Sequence, residues 1–208
     1  MNTVWAFGDS FTARYNENDW WGKEYIKYKG YKPKVYSELI AEKMNMEERN
    51  FAFGGSDNYS IFQLVCDNIN DINDGDVVII GWAPTTRFRV YDEQNKRFAM
   101  INSKSTALSD NDIFISNLTN KTINEIHINR LDPIYESEIL SWEKIIKRAL
   151  KNNIVYFWKW SNNNQIDVND YECICNETNN LITDCHWSED GHRKFSEELF
   201  YTLIKKGM

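Results

Sequence analysis

The sequence predicts an α/β fold, a three-layer α/β/α sandwich around a mostly parallel central sheet. Short apolar, β-prone runs alternate with segments of helical periodicity, and no hairpin signal joins one run to the next. The run Val77–Trp82 is apolar on both faces, as a strand covered by helices on both sides must be.

Each element follows from local chemistry. Thr3–Phe7 is short and β-prone and meets Gly8, which reads as a buried strand entering a tight turn. Pro33 opens a helical stretch, where it suits a first turn, with an apolar face of Val35, Tyr36, Leu39, Ile40, Met44 and Met46. Residues 48–53 form a second short strand that Gly54 and Gly55 break. Ser56 or Asp57 then caps a helix carrying Ile61, Leu64, Val65 and Ile69. The turn Asn73-Asp74-Gly75-Asp76 leads into the central strand. Over residues 83–131 periodicity fades into a polar and aromatic stretch, and a segment of that length is expected to be a lid or insertion. Regularity returns with a helix over 135–151, bearing Ile139, Trp142, Ile145, Ile146 and Leu150, and a strand over 154–158. After a loop over 161–180, a helix over 189–205 is apolar at Phe195, Leu199, Leu203 and Ile204, with Gly207 just beyond it. The 208 residues suit a single domain over 1–208, able to bury roughly 70% of its unfolded surface.

Composition excludes several classes. Hydrophobic residues at 42% and charged residues at 26% are ordinary for a globular chain, and no apolar run is long enough to span a membrane. Acidic groups outnumber basic ones, 31 to 24, and the lysines form no stripe, which disfavours nucleic acid as a partner. No secretory signal is visible at Met1, so cytoplasmic residence is expected. In that setting Cys66, Cys173, Cys175 and Cys185 read as free thiols. A zinc site built from Cys173, Cys175 and Cys185 with His186 or His192 is the alternative, but the spacing matches no common zinc module, and neither metal nor cofactor is expected. The Asn, Lys and Ile bias suits an AT-rich coding genome, bacterial or phage.

The residues also suggest chemistry. In a parallel α/β sheet, sites form beyond the carboxyl ends of the strands, so Gly8-Asp9-Ser10, Gly54-Gly55-Ser56 and Gly81-Trp82 fall on one edge. A serine attacks an ester when a base takes its proton and N–H donors hold the oxyanion. Ser10, expected at a helix amino end, is the candidate nucleophile, and its own N–H and that of Gly55 are candidate donors. His186 is the candidate base, with Asp184 two residues ahead to orient it, whereas His192 reads as structural.

Gly8-Asp9-Ser10-Phe11-Thr12 resembles block I of the SGNH (GDSL-like) hydrolases, and Asp184-Cys185-His186 through Gly191-His192 resembles their block V. Between them, Asn50-Phe51-Ala52-Phe53-Gly54-Gly55-Ser56 is similar to block II, whose glycine five positions after the asparagine, here Gly55, supplies an oxyanion N–H. The resemblance implies a flavodoxin-like SGNH hydrolase fold and a serine esterase working through an acyl-serine intermediate. Carbohydrate O-acetyl groups and short acyl esters are the implied substrates.

Two departures stand out. Family members carry Gly-x-Asn-Asp after the central strand, with the Asn in the oxyanion hole, whereas this chain reads Gly81-Trp82-Ala83-Pro84-Thr85-Thr86-Arg87. Losing one such donor costs about 2.7–4 kcal/mol unless another group, among Asn58, Thr85, Thr86 and Arg87, replaces it. Block V commonly places two residues between Asp and His, and here only Cys185 intervenes. Asp9, Thr85, Arg87 and Trp187 are candidate substrate contacts, with a turn or cap carboxylate the plainer role for Asp9. Trp20 and Trp21 are aromatic surfaces for a sugar ring, although core or lid packing is the commoner use of such rings. The competing function is a catalytically weak or silent SGNH-fold binding or structural module, associated with a phage virion or a surface.

Overall fold

A computed structural model describes residues 1–84, 87–92, 97–102, 132–159 and 170–206. Four strands, β1 (Thr3–Phe7), β2 (Glu47–Asn50), β3 (Val77–Trp82) and β6 (Ile154–Lys159), form one sheet in the order β2-β1-β3-β6. Every neighbouring pair in it is parallel. The helices are α1 (Trp20–Lys29), α2 (Tyr36–Met44), α3 (Asn58–Asn68), α4 (Asp132–Ala149), the single turn α5 (Ile174–Glu177) and α6 (Glu189–Lys205).

Side-chain alternation along the strands sorts the core into two layers. Val4, Val77, Ile79 and Trp158 face α2 and α6, where they pack with Tyr36, Ile40, Phe195, Leu199 and Leu203. Trp5, Phe7, Val78, Ile80 and Trp82 face α3 and α4 and meet Ile61, Val65, Ile139, Ile146 and Leu150. Burying such a side chain contributes roughly 1.5–3 kcal/mol, so both faces of β1 and β3 stabilise the sheet and the expected three layers are present. At the amino end of β3, the buried Asp76 carboxylate accepts from Thr3 N–H and Trp5 Nε1, each at 2.8 Å, and from Asn73 N–H at 3.0 Å. It fixes β1 against β3.

The structure corrects several expectations. β4 (Arg87–Asp92) and β5 (Arg97–Asn102) pair antiparallel, from Arg87↔Asn102 to Asp92↔Arg97. Alternation in Arg-Phe-Arg-Val-Tyr-Asp is the signal for β4, obscured by the polar residues on the alternate positions. The expected lid falls largely on residues 103–131, outside the described residues. Helix α2 begins at Tyr36 rather than at Pro33, because the Glu38 carboxylate accepts from Val35 N–H at 3.0 Å and sets the first turn there. Helix α1 was not expected at all. It ends where Gly30, at φ 75°, donates to Ile26 O at 2.9 Å.

Candidate active site

Ser10 stands at the carboxyl end of β1 in one turn of chain, where Thr12 N–H and Ala13 N–H both donate to Asp9 O at 3.0 and 2.9 Å. The expected helix amino end is absent, since the turn is not continued and α1 starts only at Trp20. Gly8 lets this turn lie close on β3: a Cβ there would sit 2.3 Å from Thr12 Oγ1 and 3.1 Å from Gly81 O. The Asp9 carboxylate, 1% exposed, accepts from Phe11 N–H at 3.1 Å. It holds the turn, and the expectation that it meets substrate is corrected by its burial. Among the described residues, no hydrogen bond occupies the Ser10 or Gly55 N–H.

Asn50, at the end of β2, joins the second loop to this turn. Its Nδ2 donates to Thr12 O at 2.8 Å and to Ser37 Oγ at 3.1 Å, while its Oδ1 accepts from Ala52 N–H at 2.9 Å. The loop then passes Ser10 closely, for a Cβ on Gly54 would stand 3.9 Å from Ser10 Cβ, and Gly55 takes φ 82°. Asp57 caps α3 by accepting from Ser60 N–H at 2.7 Å. Asn58 follows it, buried, with Nδ2 donating to Ala83 O at 3.0 Å, so this amide braces the end of β3. The Oδ1 of that amide is buried without a hydrogen-bond partner among the described residues.

The third loop offers less. Trp82 turns away from Ser10 into the α3/α4 layer and donates from Nε1 to Glu143 Oε1 at 3.1 Å. Thr85 and Thr86 lie outside the described residues, as does the side chain of Arg87.

Before α6 the chain brings Asp184 and His186 together. One carboxylate oxygen, Asp184 Oδ1, accepts from His186 N–H at 2.8 Å and lies 2.5 Å from His186 Nδ1. An Asx turn thus closes over a single intervening residue, and the short spacing suffices. Burial alone would raise the Asp184 carboxyl, but the hydrogen bond and charge of His186 outweigh it and hold the group below its usual range. The His186 ring packs on Phe11, the residue after Ser10, with centroids 5.1 Å apart. Tyr15 Oη donates to Trp187 O at 2.8 Å and ties the same two segments again. No hydrogen bond joins Ser10 Oγ to His186 among the described residues.

Trp187 contradicts its expected role as a substrate contact. It is wholly buried, stacked on Trp158 at 5.6 Å and against Tyr171 and Phe195. Burial drives the pKa of His192 down to about 3, helped by the charge of His186, so its imidazole is neutral and accepts from Tyr36 N–H at 3.4 Å. Trp20 is 59% exposed, and the side chain of Trp21 lies outside the described residues.

The sequence reading missed the supports behind the turn. Tyr36 Oη donates to Thr12 Oγ1 at 3.0 Å and accepts from Trp158 Nε1 at 3.2 Å, linking three elements under Ser10. Tyr36 was visible only as part of an apolar face, and nothing in its spacing announces a hydroxyl partner. Among the described residues, no group of three His, Cys, Asp or Glu side chains gathers as metal ligands do.

No protein-family model matches the chain, and no curated protein matches it. Among solved structures it is similar to a G-D-S-L family protein from Desulfitobacterium hafniense DCB-2, with 15% identity over 97% of this chain and 99% of that one and a TM-score of 0.38. It is also similar to a carbohydrate esterase whose active site is described as having divergent catalytic and non-catalytic binding functions. Identity there is 16%, over 99% of this chain and 69% of that one, with a TM-score of 0.41.

Proposed function

We propose that the chain is a serine ester hydrolase with Ser10 as nucleophile, His186 as general base and Asp184 as the carboxylate that orients it. The observation that carries this reading is the 2.5 Å contact of Asp184 with His186 Nδ1, on a segment whose imidazole packs against the Ser10 turn. With Nδ1–H held by Asp184, the imidazole's Nε2 is the atom that accepts the Ser10 proton as Oγ attacks the acyl carbonyl. The Ser10 and Gly55 N–H groups, with the remaining N–H of Asn58, stabilise the oxyanion. Collapse expels the alcohol, protonated by His186, and leaves an acyl-serine. Water, deprotonated by the same imidazole, then releases the acid. Carbohydrate O-acyl esters are the substrate class we favour, with Trp20 an exposed ring on which a sugar can stack.

The asparagine missing after β3 and the lack, among the described residues, of a Ser10–His186 hydrogen bond favour a second reading, an SGNH-fold module that binds a glycan or protein with little or no turnover, on a virion or cell surface. Catalytic hydrogen bonds are often long before substrate arrives, which keeps the esterase ahead. Labelling with a fluorophosphonate, alongside hydrolysis of p-nitrophenyl acetate and acetylated sugars, separates the two. Wild type is expected to label and turn over and Ser10→Ala to do neither. A wild type that stays unlabelled and inactive overturns the esterase.

A further inference from the structure

A pair of thiols lies on the segment hydrogen-bonded to Asp184 and His186. Cys173 and Cys175 place their Sγ atoms 3.0 Å apart, and a disulfide needs about 2.05 Å, so closure requires a shift of only about 1 Å. Both thiols are partly exposed, and Cys175 Sγ also faces Asn176 Oδ1 at 3.8 Å. The backbone of this pair is bound to the candidate triad. Cys175 N–H donates to Asp184 O and Ile174 N–H to His186 O, each at 2.9 Å, and Cys173 bridges Trp187. Ser188 N–H donates to Glu172 O at 2.9 Å on the same seam. Gly191 fits beneath it because a Cβ there would stand 2.2 Å from Glu172 O.

We infer that Cys173 and Cys175 are a redox-active dithiol that exchanges with small-molecule disulfides and whose state is transmitted along this seam to Asp184 and His186. Burial and the neighbouring Cys175 sulfur raise the Cys173 thiol, and in the proposed exchange Cys175 makes the first attack. Its thiolate displaces one thiolate from glutathione disulfide and forms a mixed disulfide. Cys173, losing its proton to water, then attacks Cys175 Sγ and expels the second glutathione. The dithiol loses two electrons and two protons, and glutathione disulfide gains them as two thiols. Drawing the sulfurs together pulls on residues 173–175 and so on the two carbonyls that position Asp184 and His186. The coupling half of the inference rests on the reading of His186 as base, whereas the dithiol does not.

The test incubates the full chain with glutathione disulfide, maps the cysteines by mass spectrometry, and follows the His186 ring by NMR together with fluorophosphonate labelling of Ser10. The expected result is loss of two hydrogens with a 173–175 link, reversed by dithiothreitol and absent in Cys173→Ser. The His186 resonances should move and labelling should slow several-fold. Glutathione adducts confined to Cys66 and Cys185 overturn the dithiol, and a closed link that leaves the His186 resonances in place overturns the coupling. If Ser10 never labels while the link forms and those resonances move, this inference stands and the esterase reading falls. The mapping uses wild-type protein, so a misfolded variant does not remove the test.

Discussion

Asp184 shows how much one carboxylate can do. The same oxygen holds the His186 backbone N–H and its ring Nδ1, so the turn and the tautomer are set together. Asp184→Asn keeps the shape but offers an amide where an acceptor is needed. In the proposed esterase it is expected to lower kcat by about 10³- to 10⁴-fold with little change in KM, read from steady-state hydrolysis of p-nitrophenyl acetate. The contact of Asp184 with His186 was legible in their spacing, whereas the roles proposed for them and for Ser10 rest on residue type. The sequence did not disclose which way neighbouring side chains face. Trp187 follows His186, and both rings pack on Phe11, but the indole continues into the core while the imidazole stays part-exposed. Asp9 is buried for a related reason, since its Oδ1 is used to hold the turn.

Helix α1 was illegible because, among its described side chains, only one narrow strip is buried. Tyr25 is fully covered while Trp20 and Tyr28 stay exposed, so its aromatic residues carry no clean helical stripe. Beside the apolar contact of Tyr25 and Ile26 with Tyr15, Val35, Ile174 and Ile182, its docking is largely polar. Lys29 Nζ lies 3.0 Å from Glu177 Oε1 and 3.3 Å from Glu189 Oε2. Tyr25 Oη donates to Glu177 Oε2 and Tyr31 Oη to Glu189 Oε2, each at 2.5 Å. Burial opposes ionisation of Glu189, yet the hydrogen bonds from Tyr31 and Lys29 outweigh it and hold its carboxyl below the usual range. Removing the cation leaves two poorly solvated carboxylates facing each other. Lys29→Met is therefore expected to cost about 2 kcal/mol, measured by urea unfolding, with faster amide exchange concentrated in α1. By contrast β1, β3, α3 and α6 were legible, because apolar runs and stripes with a cap or glycine at the end carry their own boundaries, as at Asp57 and Gly8.

Across the whole molecule, acid finds a weak point at His192, in the first turn of α6, packed on Tyr36 of α2 at 6.0 Å and on Trp187 at 5.4 Å. Its folded pKa of about 3 lies below the ordinary value near 6.5 of an unfolded chain. Above about pH 6.5 neither state is protonated. Below it the unfolded state takes up a proton that the folded state refuses, so stability is lost as pH falls toward 3. Between about pH 7.5 and about pH 5 this amounts to about 2 kcal/mol, and urea midpoints for wild type and His192→Gln should show that fall shrinking in the variant. The strand order adds a consequence in time. β1 pairs with β2 and β3, both made after it, and the Ser10 turn is bound to Trp187 across 172 positions. At translation rates of about 5–20 residues per second, the 176 positions from Ser10 to His186 take roughly 9 to 35 seconds to emerge. In the proposed esterase, a nascent chain carries its hydroxyl without its base throughout that interval, and the segment ahead of α6 is what completes the site.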